Sequence, residues 1–355
     1  MTRTSLGFSV DDVPHGDDLH CFSGRIHANF SSNVWPYGMS QGLRQALGES
    51  LLLAQSYPPP HAETQCLRLS DKLGYPLGGV MALNGAVEGI YLVAQAFSGM
   101  QSHVVVPTFG EYERACRLHG HRLSFIAEEV FAGSVKLAKG LWWICNPNNP
   151  TGTIYSAEWL QSLIASNPQC VFVVDEAYMA LSLQGTSLLP VAKQHRNVLV
   201  LVSLTKAYAM PGIRAGYLAG HPELIRAIRA FQPPWSVGVP ALAAITYAID
   251  TPPFPQGRLF DYLQCAQHLQ DEIDALDGFK VHRTPMGFFL IETPFIASEL
   301  KNWLVEQHGL LVRDASSFRG IGPNMLRVSC QSVDHNRLLM GALQRVLIKK
   351  QLDRE

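Results

Sequence analysis

Four apolar runs constrain this chain more than anything else in it. Residues 104–106, 141–145, 171–174 and 198–202 are apolar at every position, without the alternation of a half-wet strand, and helical stretches lie between several of them. Such runs read as strands buried on both faces, which predicts a largely parallel α/β sheet covered by helices. Ligands of such sheets gather outside the carboxyl ends of the strands. There this chain delivers Pro107-Thr108-Phe109, Asn146-Pro147-Asn148-Asn149-Pro150-Thr151-Gly152, Asp175-Glu176-Ala177-Tyr178 and Ser203-Leu204-Thr205-Lys206.

These residue types suit one another chemically. Burial lowers a lysine pKa, and the uncharged amine condenses with carbonyls, so Lys206 at a strand end is a candidate for covalent catalysis. Ser203, Thr205 and Arg214 add hydroxyl donors and a fixed cation, a set that fits a phosphate dianion. A lone Ser-x-x-Lys is ordinarily a solvated loop, and the convergence of four strand ends sets this one apart. Asp175, just past a buried strand, requires a cation or a proton, and a pyridinium nitrogen is such a cation. Two prolines and a glycine stiffen the loop holding Asn149, which lowers the entropy lost on binding. Phosphate and imine chemistry together point to pyridoxal 5′-phosphate.

The remaining segments add candidates. Gly85 before the apolar run from Ala86 predicts a helix whose first amides, at Ala86 and Val87, face an anion. Three prolines after Tyr57 hold it on stiff, extended backbone. Helices are expected over 40–53 and 62–73. Beyond Phe231 and the prolines that follow, helix 259–276, strands 279–283 and 287–292, helix 298–307, strands 310–313 and 325–329, and a helix from Asp334 form an α+β pattern. Arg327 sits there among apolar neighbours, where an anion is expected. The expected division is an irregular arm over 1–40, a large ligand-binding domain over 41–240 and a small domain over 241–355.

Composition narrows the function. With 28 Lys plus Arg against 29 Asp plus Glu, the chain has no basic footprint for nucleic acid or an anionic membrane. Its 7 cysteines are scattered and its 13 histidines lack metal spacing, which predicts no disulfide framework and no metal site. Acidic residues interrupt the amino end where a signal peptide needs an apolar core, so a cytoplasmic enzyme is the expectation.

Asn-Pro-Asn-Asn-Pro-Thr-Gly, Asp-Glu-Ala-Tyr, Ser-Leu-Thr-Lys and Arg214 together resemble the class I/II aminotransferase superfamily of pyridoxal-phosphate enzymes. The resemblance implies the type I PLP-dependent transferase fold: a large domain with a mostly parallel sheet plus a small α+β domain. It implies that Lys206 bonds the cofactor and moves protons, that Asp175 pairs with the ring nitrogen, and that Asn149 and Tyr178 reach the phenolic oxygen. Ser203, Thr205, Arg214 and the amides of Ala86 and Val87 would hold the phosphate, with Phe109 stacked on the ring. Tyr57 would come from the other subunit of a homodimer, and Arg327 would take the substrate carboxylate. Within the superfamily, His15-Gly16, Phe30-Ser31-Ser32-Asn33, Phe109-Gly110-Glu111-Tyr112 and Pro234-Trp235-Ser236-Val237 resemble the threonine-phosphate decarboxylases of cobalamin biosynthesis, relatives of histidinol-phosphate aminotransferases. That likeness adds His15, Gly16, Asn33 and Asn149 as substrate contacts. Arg313 and Arg319 are candidate cations for a distal phosphate. Two departures stand out: Asp17-Asp18 follows the His-Gly pair, and Trp35 replaces a second asparagine.

Overall fold

The structure, a computed structural model, describes residues 2–3, 9–10, 18–22 and 26–352. Seven strands build the main sheet: β1 (Val80–Leu83), β2 (Gln101–Val106), β3 (Arg122–Ala127), β4 (Gly140–Cys145), β5 (Cys170–Asp175), β6 (Val198–Ser203) and β7 (Gly216–Gly220). Their spatial order is β1-β7-β6-β5-β4-β2-β3. Only β7 opposes its neighbours, and the pairs from β6 to β3 are parallel. The period-two geometry of a strand explains the unbroken apolar runs. Phe172, Val174, Val198 and Val200 face one core while Val173, Leu199 and Leu201 face a second across the sheet. Each such side chain, fully buried, contributes on the order of 2 kcal/mol.

Ser40 caps helix α1 (Gln41–Ser50), its Oγ accepting from the Leu43 amide at 3.2 Å. Helix α2 (Ala86–Ala96) follows β1 through Gly85, which holds φ +78°, a conformation that favours glycine. Later in the chain come α3 (Val239–Asp250) and α4 (Arg258–Asp274). An antiparallel sheet follows, made of β8 (Lys280–His282), β9 (Phe288–Glu292), β10 (Arg313–Asp314) and β11 (Met325–Ser329), in the order β8-β9-β11-β10. Helix α5 (Val333–Leu352) closes the described chain.

Some expected boundaries shift. The expected strand over 310–313 is two strands, because the chain changes partners at Val312. Leu310–Leu311 pairs in parallel with Ala28–Asn29, whereas Arg313–Asp314 pairs with β11. The amino-terminal arm is thereby tied to the second sheet, and Phe30 O accepts from the Ser329 amide at 2.9 Å. The same arm then crosses to the lysine turn, where the Trp35 amide donates to Lys206 O at 3.0 Å. Trp35 itself is buried, stacked on Phe254 with ring centroids 4.4 Å apart, so this departure from the asparagine pattern serves packing.

Candidate active site

Strand register aligns the candidate loops. Leu83, Gly216 and Ser203 are consecutive partners across β1, β7 and β6, while Asp175 partners Leu201 on one side and Cys145 on the other. The ends of β1, β6, β5 and β4 therefore form one edge, carrying in turn the α2 amino terminus, the lysine turn, Asp175 and the asparagine loop.

At the first of these, the opening amides of α2 have no acceptor within the helix. Arg214 has left-handed backbone (φ +59°), and its Nη1 donates to Pro211 O at 2.9 Å. Its guanidinium lies so close to Gly85 that a Cβ there would stand 2.4 Å from Nη2. Ser203 and Thr205 are buried with their hydroxyls 2.8 Å apart. The result is a cradle of amides, hydroxyls and one cation, a donor set matched to a phosphate.

Asp175 is buried, and burial pushes its carboxyl up to about 6. The Tyr112 hydroxyl at 2.7 Å, the Ala177 amide at 2.9 Å and the nearby charge of Lys206 offset only part of that cost. Tyr112, on the helix after Phe109, is a contact to which sequence reasoning gave no role. Its signal was present as the tyrosine of Phe-Gly-Glu-Tyr. Phe109 is half-buried and meets the Tyr112 ring edge-on at 5.8 Å. Lys206 is likewise half-buried.

Arg327 on β11 reaches the same place from the other sheet. It is buried; Nη1 donates to Asn149 Oδ1 at 2.5 Å and Nη2 donates to Ser31 O, while Nε has no hydrogen-bond partner among the described residues. Burial lowers its pKa to about 10, and the nearby Tyr178 opposes that shift. Tyr178 is pushed up to about 12 by burial, with the Arg327 charge and the Asn33 amide pulling the other way. Asn33 is buried too, its amide set beside Tyr178, and its Oδ1 has no hydrogen-bond partner among the described residues. A buried amide with a spare acceptor, beside an arginine with a spare donor, is what a polar ligand would satisfy.

The asparagine loop has a brace that sequence reasoning missed. Glu128 accepts from Asn148 Nδ2 at 2.7 Å, Thr151 Oγ1 at 3.0 Å and Thr153 Oγ1 at 3.1 Å. No local pattern marks Glu128, since its partners are twenty and more residues away. Of the distal-phosphate candidates, Arg313 is buried directly opposite Arg327 in the β10–β11 register. Arg319 is instead exposed, bound to Glu113 at 2.7 and 2.9 Å and seated over Phe125. The acidic departure lands nearby: Asp18 pairs with Lys301 at 2.5 Å, and its charge acts on Arg313. His15 and Gly16 lie outside the described residues. Tyr57 is 85% exposed, away from the strand ends of its own chain, with its ring 5.1 Å from that of Trp235.

The model of the class I and II aminotransferases matches residues 26–343, nearly the whole chain. The chain belongs to that family. Histidinol-phosphate aminotransferase 2 of Nitrosococcus oceani is 30% identical to it over 325 residues, covering 87% of this chain and 89% of that protein. The crystal structure of L-threonine-O-3-phosphate decarboxylase from Porphyromonas gingivalis superposes with a TM-score of 0.85 at 29% identity, covering 90% of this chain and 99% of that one. Histidinol-phosphate aminotransferase from Sinorhizobium meliloti, solved with pyridoxal 5′-phosphate, superposes with a TM-score of 0.80 at 18% identity, covering 93% of each chain, and shares the fold. The cofactor of this class I/II enzyme is pyridoxal 5′-phosphate. The residues present fit it: the cradle at Gly85 is one a Cβ would fill, and the burial cost of the Asp175 carboxylate is offset only in part by Tyr112, Ala177 and Lys206. Among the described residues no cluster of ligating side chains could hold a metal ion, and no helix is long and apolar enough to cross a membrane.

Proposed function

We propose that this enzyme decarboxylates L-threonine O-3-phosphate to (R)-1-amino-2-propanol O-2-phosphate. The observation that carries the reading is the likeness to the Porphyromonas decarboxylase, whose TM-score of 0.85 exceeds the 0.80 and 0.76 of the two histidinol-phosphate aminotransferases from Sinorhizobium meliloti and Clostridium acetobutylicum. Transamination of histidinol phosphate is the second reading, favoured by the 30% identity to the Nitrosococcus enzyme. Both substrates carry a phosphate, and two buried arginines from neighbouring strands, Arg313 and Arg327, supply the charge to meet an anionic substrate.

In this reading Lys206 holds the cofactor, the α2 amides of Ala86 and Val87 with Ser203, Thr205 and Arg214 grip its phosphate, and Asp175 accepts from its ring N–H. Asn149 and Tyr178 face the phenolic oxygen, and Phe109 covers the ring. When bound, pyridoxal phosphate withdraws the electrons released at the substrate's α-carbon. Which bond of the α-carbon releases them would follow from how the substrate is held, with its carboxylate at Arg327 and its distal phosphate near Arg313. Lys206 Nζ would deliver a proton to the α-carbon once carbon dioxide has left; in transamination it would instead take the α-proton away. Asn33, with His15 and Gly16 of the arm, completes the substrate contacts. We assign the cofactor to residues 41–240 and the closing small domain to 241–355, in a cytoplasmic homodimer to which each subunit lends its partner Tyr57. Product analysis after incubation with each phosphorylated substrate, with and without 2-oxoglutarate, tests the reading: 1-amino-2-propanol phosphate supports it, and a keto product from histidinol phosphate alone refutes it.

A further inference from the structure

Two cysteines outside the site just described come together. Cys265 lies on α4, and Cys330 follows β11 three residues after Arg327. One side-chain amide lies against both sulfurs. The buried Asn336 of α5 sets Nδ2 3.4 Å from Cys265 Sγ and 3.2 Å from Cys330 Sγ, and its Oδ1 accepts from the Gln331 amide at 3.0 Å. One turn before Cys265, the Tyr262 hydroxyl donates to Cys330 O at 3.3 Å, which fixes the helix against the strand end. Cys330 is buried, whereas Cys265 is only half-buried.

We propose that Cys265 and Cys330 form a reversible disulfide, a modification site with Cys265 as the entry thiol. The neighbouring Cys330 thiol and the Asn336 amide hold the pKa of Cys265 below the ordinary thiol range, which favours its thiolate form. The co-reactant is a small-molecule disulfide. Cys265 thiolate attacks one sulfur of it, forming a mixed disulfide and releasing one small thiolate. Cys330 gives its proton to that thiolate and attacks Cys265 Sγ, expelling the second small thiolate, which takes up a proton from water in place of the one Cys265 had lost. The protein loses two hydrogens and the small disulfide gains them. The neighbouring Cys265 sulfur and burial hold the Cys330 thiol high, and capping Cys265 relieves the first of these. The bridge would fasten α4 to the end of the strand that carries Arg327.

The test treats the cofactor-loaded full chain with oxidised glutathione, then unfolds it, alkylates the remaining thiols and maps peptides by mass spectrometry. Wild type is expected to yield a Cys265–Cys330 cross-link that dithiothreitol removes, while Cys330→Ala retains glutathione on Cys265. Cys265→Ser, a substitution at the less buried position, is expected to leave Cys330 fully alkylated. A lasting glutathione adduct on Cys265 of wild type, or alkylation of both thiols after treatment, overturns the proposal.

Discussion

Lys206 and Asp175 are proposed to bear the chemistry, and each yields a prediction. If Lys206 bonds the cofactor, Lys206→Ala loses the visible absorbance of the bound chromophore, and borohydride fixes no cofactor to the chain. A borohydride-reducible adduct persisting in the variant removes that assignment. Asp175 predicts a pH dependence. Its folded pKa of about 6 lies above the unfolded value of 3.8, so between those pH values the folded state binds more protons. Stability of the cofactor-free protein therefore falls as pH rises through that window, by roughly 3 kcal/mol from this group, and then levels off. A ring N–H⁺ against the carboxylate favours its charged form and removes the loss. The gain in melting temperature on adding cofactor is thus expected to grow from pH 4 to pH 6, and to stay flat in Asp175→Asn. Parallel curves for the two proteins would show that Asp175 does not face the ring.

At the scale of elements, the glycine before α2 is the most exacting feature. Gly85→Ala would impose a Cβ on the Arg214 guanidinium and strain a φ of +78°, displacing cation and amides together. Cofactor affinity is expected to fall by about tenfold or more, on the order of 1.4 kcal/mol, by spectroscopic titration; unchanged affinity would place the phosphate elsewhere. The elements that the sequence exposed most clearly were those with an unbroken apolar run, since β4, β5 and β6 are buried on both faces. Two strands of the main sheet escaped notice for opposite reasons. β1 is only four residues long and merges with the start of α2, and β3 lies at the sheet edge, half exposed, so its six residues mix Arg122 and Ser124 with apolar ones. Helix α3 was hidden by the prolines around it, although Pro240 stands in the first turn, where its missing N–H costs nothing. In the site, the strand-end residues could be read from spacing. Glu128 and the Arg313–Arg327 opposition could not, because they depend on contacts between distant segments.

Over the whole molecule, the surface around Tyr57 calls for a partner. Leu51, Leu52 and Leu53 are 62, 77 and 68% exposed just before it, and Trp235, itself 47% exposed, donates its indole N–H to Pro58 O at 3.0 Å. Such an apolar face is costly in water, and a second copy that received Tyr57 would cover it. Sedimentation is expected to show a dimer, and Tyr57→Phe to weaken cofactor binding without dissociating it; a monomer with full activity would contradict the shared site. Which bond at the α-carbon breaks separates the two reactions. Purified enzyme given L-threonine O-3-phosphate labelled in its carboxyl carbon, without any keto acid, should release the label as carbon dioxide over many turnovers, and Lys206→Ala should release none. Label retained in the amino acid, while histidinol phosphate passes its amino group to 2-oxoglutarate, would contradict the account.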